Sequence, residues 1–185
     1  MVKARIGASL LALTLVITTS MNTRPALAAS AAEINRDVDA VLGKLYADVP
    51  DARALSEKAA GVLIFPNVVK AGFLLGAQYG DGALRRQGRT VAYYNTVAAS
   101  YGLQAGVQTF GYVLFFMTEP ALQYLDKSDG FELGVGPSIV VLDAGKAKTM
   151  TTTTMQNAIY AFIFDQRGLM AGMGLQGSKI SRIDR

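Results

Sequence analysis

Among the acids of the glycine-rich β region, Asp81, Asp129, Glu132 and Asp143 are those that could pair. Two carboxyl groups held together can act as general acid and general base, so Asp129 with Glu132 is the pair on which a hydrolase would be built. Asp81 and Asp129 also sit beside glycines, in Gly80-Asp81-Gly82 and Ser128-Asp129-Gly130, where an Asp is expected for the local hydrogen bonding of a turn. The chain has no His and no Cys. That excludes the usual zinc ligand sets, a Ser-His-Asp triad and a Cys nucleophile. A carboxylate-only Ca²⁺ or Mg²⁺ site is the metal chemistry left open, and no cofactor is expected. The spacings Gly102-x-x-x-Gly106 and Gly130-x-x-x-Gly134-x-Gly136 lack the Lys-Ser/Thr of a phosphate loop, so they read as points of curvature. The expectation is a protein without enzymatic activity.

The cations say more. Arg85, Arg86 and Arg89 gather around one hairpin tip, Lys179, Arg182 and Arg185 near the end of the chain, and Lys70 follows a strand. Each group suits either a solvated turn or an anionic headgroup, since cations near an anionic membrane contribute about 1 kcal/mol each. Two apolar tracts have a similar double reading. Tyr112 to Met117 is a core strand or a lipid-facing wall, and the stripe Ile34, Val38, Val41, Leu42, Leu45 is the packed face of a helix or a membrane-lying one. That helix lacks the Lys/Arg-rich polar face of a surface-seeking segment, which favours packing.

The elements that must position these residues fall into two styles. Ser30-Ala31-Ala32-Glu33 has capping-box spacing ahead of the Ile34 stripe, which predicts a helix. Pro50-Asp51 restarts the chain into a second helix to Ala60, with Gly61 as its C-terminal cap. Seventeen of the 19 glycines lie at or after Gly61, and there the pattern becomes β. Val62–Phe65, Phe73–Tyr79, Ala83–Arg86, Arg89–Tyr94, Ser100–Thr109, Tyr112–Met117, Phe131–Leu142, Ala158–Phe164 and Leu169–Gln176 read as strands. Turns are expected at Gly80-Asp81-Gly82 and Gln87-Gly88. Thr149 to Thr154 reads as an edge strand or a loop. Thr118-Glu119-Pro120 opens one short helix near 119–126. The fold class is α+β: one curved, mostly antiparallel, glycine-rich sheet or partial barrel, with the helical pair on one face or plugging one end. An outer-membrane barrel fits less well, because the strands are short and the apolar alternation is interrupted.

Residues 1–28 read as a secretory signal peptide. Lys3 and Arg5 form the positive region, Ile6 to Ile17 the apolar run, and Ala26-Leu27-Ala28 the small-x-small cleavage site. Residues 29–185 are expected to form a single domain. The leader carries Lys3, Arg5 and Arg24 and no acid, so its removal takes the net charge from +4 to +1. A pI of 9.4 is therefore no sign of nucleic-acid binding.

Several tracts taken together resemble the SYLF lipid-binding domain family, which includes the actin-binding domain of a yeast endocytic protein. They are Ala59 through Pro66, Val69 through Phe73, Gly76 through Gly82 and Tyr93-Tyr94-Asn95. Ser100 through Gln108, Ser128 through Gly134, Gly168 through Gly172 and Leu175 through Ile180 follow in the family's order. The resemblance implies phospholipid binding, with phosphoinositide and actin binding in eukaryotic members and export in bacterial ones. It raises Lys70 and Lys179 as lipid-binding candidates, with Arg182, Arg85 and Arg86 behind them. The expected function is an exported, non-catalytic phospholipid-binding protein of the bacterial envelope, periplasmic or peripherally attached after cleavage near Ala28. Its partner is an anionic phospholipid or membrane surface and not nucleic acid. An envelope scaffold or stress-response protein that binds another protein is the alternative.

Overall fold

The computed structural model describes residues 29–126, 131–132, 136–142, 157–168 and 177–185. The leader, the Ser128-Asp129-Gly130 turn, Asp143, the Thr149–Thr154 run and the Leu169–Gln176 strand lie outside the described residues.

Helix α1 (Ala31–Asp48) starts as its sequence dictates. The Glu33 N–H donates to Ser30 Oγ (3.3 Å), and the Ser30 N–H donates to Glu33 Oε2 (2.8 Å). The Ser30 N–H, and with it the Ser30 hydroxyl, which donates to the same oxygen (2.8 Å), holds the Glu33 carboxyl below its ordinary value. Helix α2 (Pro50–Lys58) has Pro in its first turn, Asp51 at its positive end and Lys58 at its negative end. It ends at an extended Ala59 and not at Gly61. Gly61 instead begins the sheet, where a Cβ would lie 2.9 Å from the Leu122 side chain.

The sheet is dominated by two very long strands, β1 (Gly61–Arg86) and β2 (Arg89–Phe116), joined by a two-residue turn. Gln87 (φ 50°) and Gly88 (φ 76°) both take the left-handed conformation that a tight hairpin with right-handed strand twist demands. No turn occurs at Gly80-Asp81-Gly82; β1 runs through it in register with β2. The glycines serve a close approach instead. A Cβ on Gly82 would lie 2.3 Å from the Ile64 carbonyl, one on Gly80 2.8 Å from Val68 Cγ2, and one on Gly72 2.4 Å from Gly76 Cα. The two halves of β1 are therefore folded against each other, with the bend between Gly72 and Gly76. Pro66 falls at a bulge between Phe65 and Val68, which spares the ladder its missing N–H.

Shorter elements complete the molecule. A Thr118-capped helix α3 (Glu119–Gln123) runs into a 3-10 turn (Tyr124–Asp126), as expected. Strands β3 (Phe131–Glu132), β4 (Ile139–Leu142), β5 (Ile159–Gly168) and β6 (Lys179–Ile183) follow. The order is β3-β6-β2-β5-β4, with β1 also on β2. All neighbours are antiparallel except β4 and β5. The sheet is open, and the described strands number six. The expected strand Phe131–Leu142 is two, at opposite edges, because Gly136 (φ 108°) and Pro137 break the run.

Each face has its own core. Leu63, Phe65, Val68, Tyr94, Phe110, Tyr112 and Leu114 fill the concave side under α3. Ile34, Val38, Leu45 and Leu55 cover Val62, Ile64, Val113, Phe115 and Tyr160 on the other. The helical pair lies on one face, the Ile34 stripe is its packed side, and Tyr112–Phe116 is core strand.

Candidate functional site

Charge is absent from a long reach of the hairpin. No Asp, Glu, Lys or Arg occurs from Thr90 to Thr118, and from Ala59 to Gly80 there is only Lys70. The bend lies within this reach. There Leu74 has φ 61°, and the pairing steps from Phe73↔Ala105 to Leu75↔Tyr101, so β2 bulges opposite a single residue. A left-handed Leu carries steric strain and turns its side chain out of the normal strand pattern.

Paired residues of an antiparallel ladder share a face, which sorts the hairpin around the bend. On the outer side stand Val69, Ala71 and Phe73 of one arm with Val107, and Leu75, Ala77 and Tyr79 of the other with Val97 and Ala99. All of these are exposed, Phe73 and Leu75 by about three quarters (75% and 74%). On the inner side stand Lys70 with Gln108, Gly72 with Gly106, Gln78 with Ala98, and Gly80 with Thr96. Gln78 Nε2 donates to Ser178 Oγ (3.3 Å), while Gln108 Oε1 and Thr96 Oγ1 are buried without a partner. Apart from Thr109 outside and Ala98 inside, the pattern at this end is apolar outside and polar or glycine inside, the reverse of a soluble sheet. Deeper in, burial pushes the Tyr112 hydroxyl well up; the Thr96 hydroxyl offsets this a little, though neither reaches bonding geometry.

The structure distributes the expected cations widely. Lys70 and Lys179 are on opposite faces of the sheet. Lys70 points to the inner side with Gln108, and Lys179 to the outer side with Val97 and Glu132. Lys70 has no ion-pair partner among the described residues. Arg85 and Arg86 lie at the opposite end, by the turn, and are already paired. Arg85 Nη2 reaches Asp39 (2.6 Å), on the wall of a cleft of about 520 Å³ between the helices and the turn, and Arg86 pairs with Glu119. Arg182 is exposed on β6 beside Tyr94. Burial and then the Asp126 carboxylate push the Tyr94 hydroxyl up to about 12. A cation that sequence reasoning missed is Arg167, which is exposed on β5 across from Thr109 and Val69, at the other flank of the apolar surface. Only the strand pairing reveals it.

Acid chemistry gains little. Asp81 is engaged on both oxygens, by Tyr79 Oη (2.6 Å) and Arg185 Nη2 (2.9 Å). Glu132 is exposed on an edge strand beside Lys179. Asp129 lies outside the described residues. Among the described residues no group of three potential ligands could hold a metal, and no helix is long and apolar enough to cross a membrane.

These features define an α+β protein with an open, folded-over sheet whose distinctive surface is an apolar end flanked by cations. Residues 97–184, from the middle of β2 through β6, match the family described as Ysc84, Las17-binding protein actin regulator. That match supports the resemblance to the SYLF family of binding and scaffold domains over the same stretch. No curated protein matches the chain.

Proposed function

We propose that this protein binds anionic phospholipid at a membrane surface of the bacterial envelope, without catalysis. The similarity to the SYLF family supports a lipid partner. The observation that carries the reading is electrostatic. The bend end of the hairpin holds no acid, and cations flank it: Arg167 on one side, Lys179 on the other and Lys70 at its inner margin. Glu132 beside Lys179 weakens that flank and leaves Arg167 and Lys70 as the stronger contributors. Cations gathered in one region raise the local potential even at a net charge of +1 after leader removal. Export with cleavage near Ala28, and hence a periplasmic or peripheral location, is part of the same proposal.

The test is flotation of the cell-processed protein with phosphatidylglycerol-containing vesicles over a salt series. Binding should weaken as salt rises, because the screening length is about 8 Å at physiological salt. Arg167→Glu with Lys179→Glu should lower binding at least ten-fold, from about 1 kcal/mol per surface cation, with the melting temperature nearly unchanged. Absence of flotation at low salt overturns the reading. A single crosslinked protein adduct in cells, without lipid in the purified material, favours the scaffold alternative.

A further inference from the structure

The reversed alternation at the bend says how the membrane is met. We infer that the hairpin bend is a wedge that enters the hydrocarbon of one leaflet of an anionic bilayer; the inference rests on the lipid-binding reading above. A strand that faces lipid puts apolar side chains outward and polar ones inward. Both arms do this: Val69, Ala71, Phe73 and Val107 outward against Lys70, Gly72 and Gln108 inward, then Leu75, Ala77, Tyr79, Val97 and Ala99 outward against Gln78, Gly80 and Thr96 inward. In water the arrangement is unfavourable twice over. It leaves Phe73, Leu74 and Leu75 at 75%, 52% and 74% exposure, and it buries Gln108 Oε1 and Thr96 Oγ1 unpaired. Hydrocarbon around the outer side removes the first of these costs.

Length and charge agree. From Val69 to Leu74 the strand advances about 16 Å at roughly 3.3 Å per residue, close to half of a hydrocarbon core about 30 Å thick. The cations Arg167 and Lys179 sit level with Val69 and Val97, where the apolar belt ends and headgroups begin. Toward the helices the outer face changes character at once: Val113, Phe115 and Ala83 are covered by α1 and α2. The bare surface is thus confined to the charge-free end. The occupant is a bilayer with anionic headgroups, because Arg167 and Lys179 border the belt, no acid lies within it, and Asp81 beside Tyr79 is already held by Arg185.

The chain has no Trp, so one introduced indole reports its own surroundings. Phe73→Trp is placed at the bend, and Val91→Trp at an exposed site near the turn, each in the otherwise native chain. Phosphatidylglycerol/phosphatidylethanolamine vesicles with acyl-chain bromination are then added. The expected result is a blue shift and at least two-fold quenching for Phe73→Trp, with Val91→Trp unchanged. Phe73→Asp with Leu75→Asp should cut vesicle binding about ten-fold or more while native circular dichroism is kept. Flotation of both Trp variants without quenching of Phe73→Trp overturns the wedge and leaves surface binding standing. Absence of flotation overturns both. A concentration-dependent blue shift of Phe73→Trp in buffer alone assigns the belt to a second copy of the chain and overturns the wedge.

Discussion

Gly82 is the residue on which the folded-over hairpin depends most directly. Its missing Cβ would sit 2.3 Å from the Ile64 carbonyl and 2.6 Å from a Phe65 ring carbon, both fixed by the core. Gly82→Ala should cost about 2–3 kcal/mol, read as a fall in the denaturant midpoint. Gly88→Ala has open space and pays only for its positive φ, about 1 kcal/mol, so the two substitutions should rank in that order. Tyr112 offers the opposite sign. Its hydroxyl is buried without a bonded partner. Tyr112→Phe should therefore leave stability unchanged or raise it by about 1 kcal/mol, and a loss of that size would show an unseen bond. The sequence displayed Gly80 and Gly82 but not their reason. A glycine that lets a distant segment approach looks the same in sequence as one that makes a turn, and here the segment is twelve or more residues away.

Among the elements, α1 and the Gln87-Gly88 turn were legible because their signals are local: a capping box, a stripe at helical spacing, and a left-handed dipeptide. The capping box makes a pH prediction. The Ser30 N–H and hydroxyl hold Glu33 below its ordinary 4.5, so the carboxylate's contribution is complete above that value and is lost as pH falls through the depressed one. Acid titration followed by helical dichroism should show early fraying of α1 as pH falls below 4.5, absent in Glu33→Gln, which starts from the frayed level. The long strands were less legible. Read as separate short strands, they hid an apolar alternation that is continuous along the outer side of both arms. What joins the pieces is pairing between β1 and β2 across a bend, and no window of one strand contains that information.

At the scale of the whole molecule, charge is gathered at the helices, the turn and the outer strands, while the folded-over end is nearly bare of it. The cation set could not be read as one site from the sequence, because strand register alone decides that Lys70 and Lys179 face opposite ways. The buried phenols set the alkaline limit. Tyr94 and Tyr112 are raised above their ordinary 10, so their contribution is intact below pH 10 and is lost as pH rises beyond it. Unfolding between pH about 10 and 12 should be cooperative, and shallower in Tyr112→Phe. The hairpin's two-residue turn also has a kinetic meaning. Pairing that begins at Gln87-Gly88 adds neighbouring residues in sequence and incurs little loop-closure entropy until it meets the bulge opposite Leu74. There the zipper must skip three residues of β2 before Phe73 can meet Ala105, which makes the bend the natural pause of the folding reaction. A chain halted at that step exposes the uncharged stretch from Gly102 to Thr118, rich in Val, Leu and Phe and without a gatekeeping charge. Dilute refolding, or detergent present during it, should then decide between monomer and aggregate more than the final stability does.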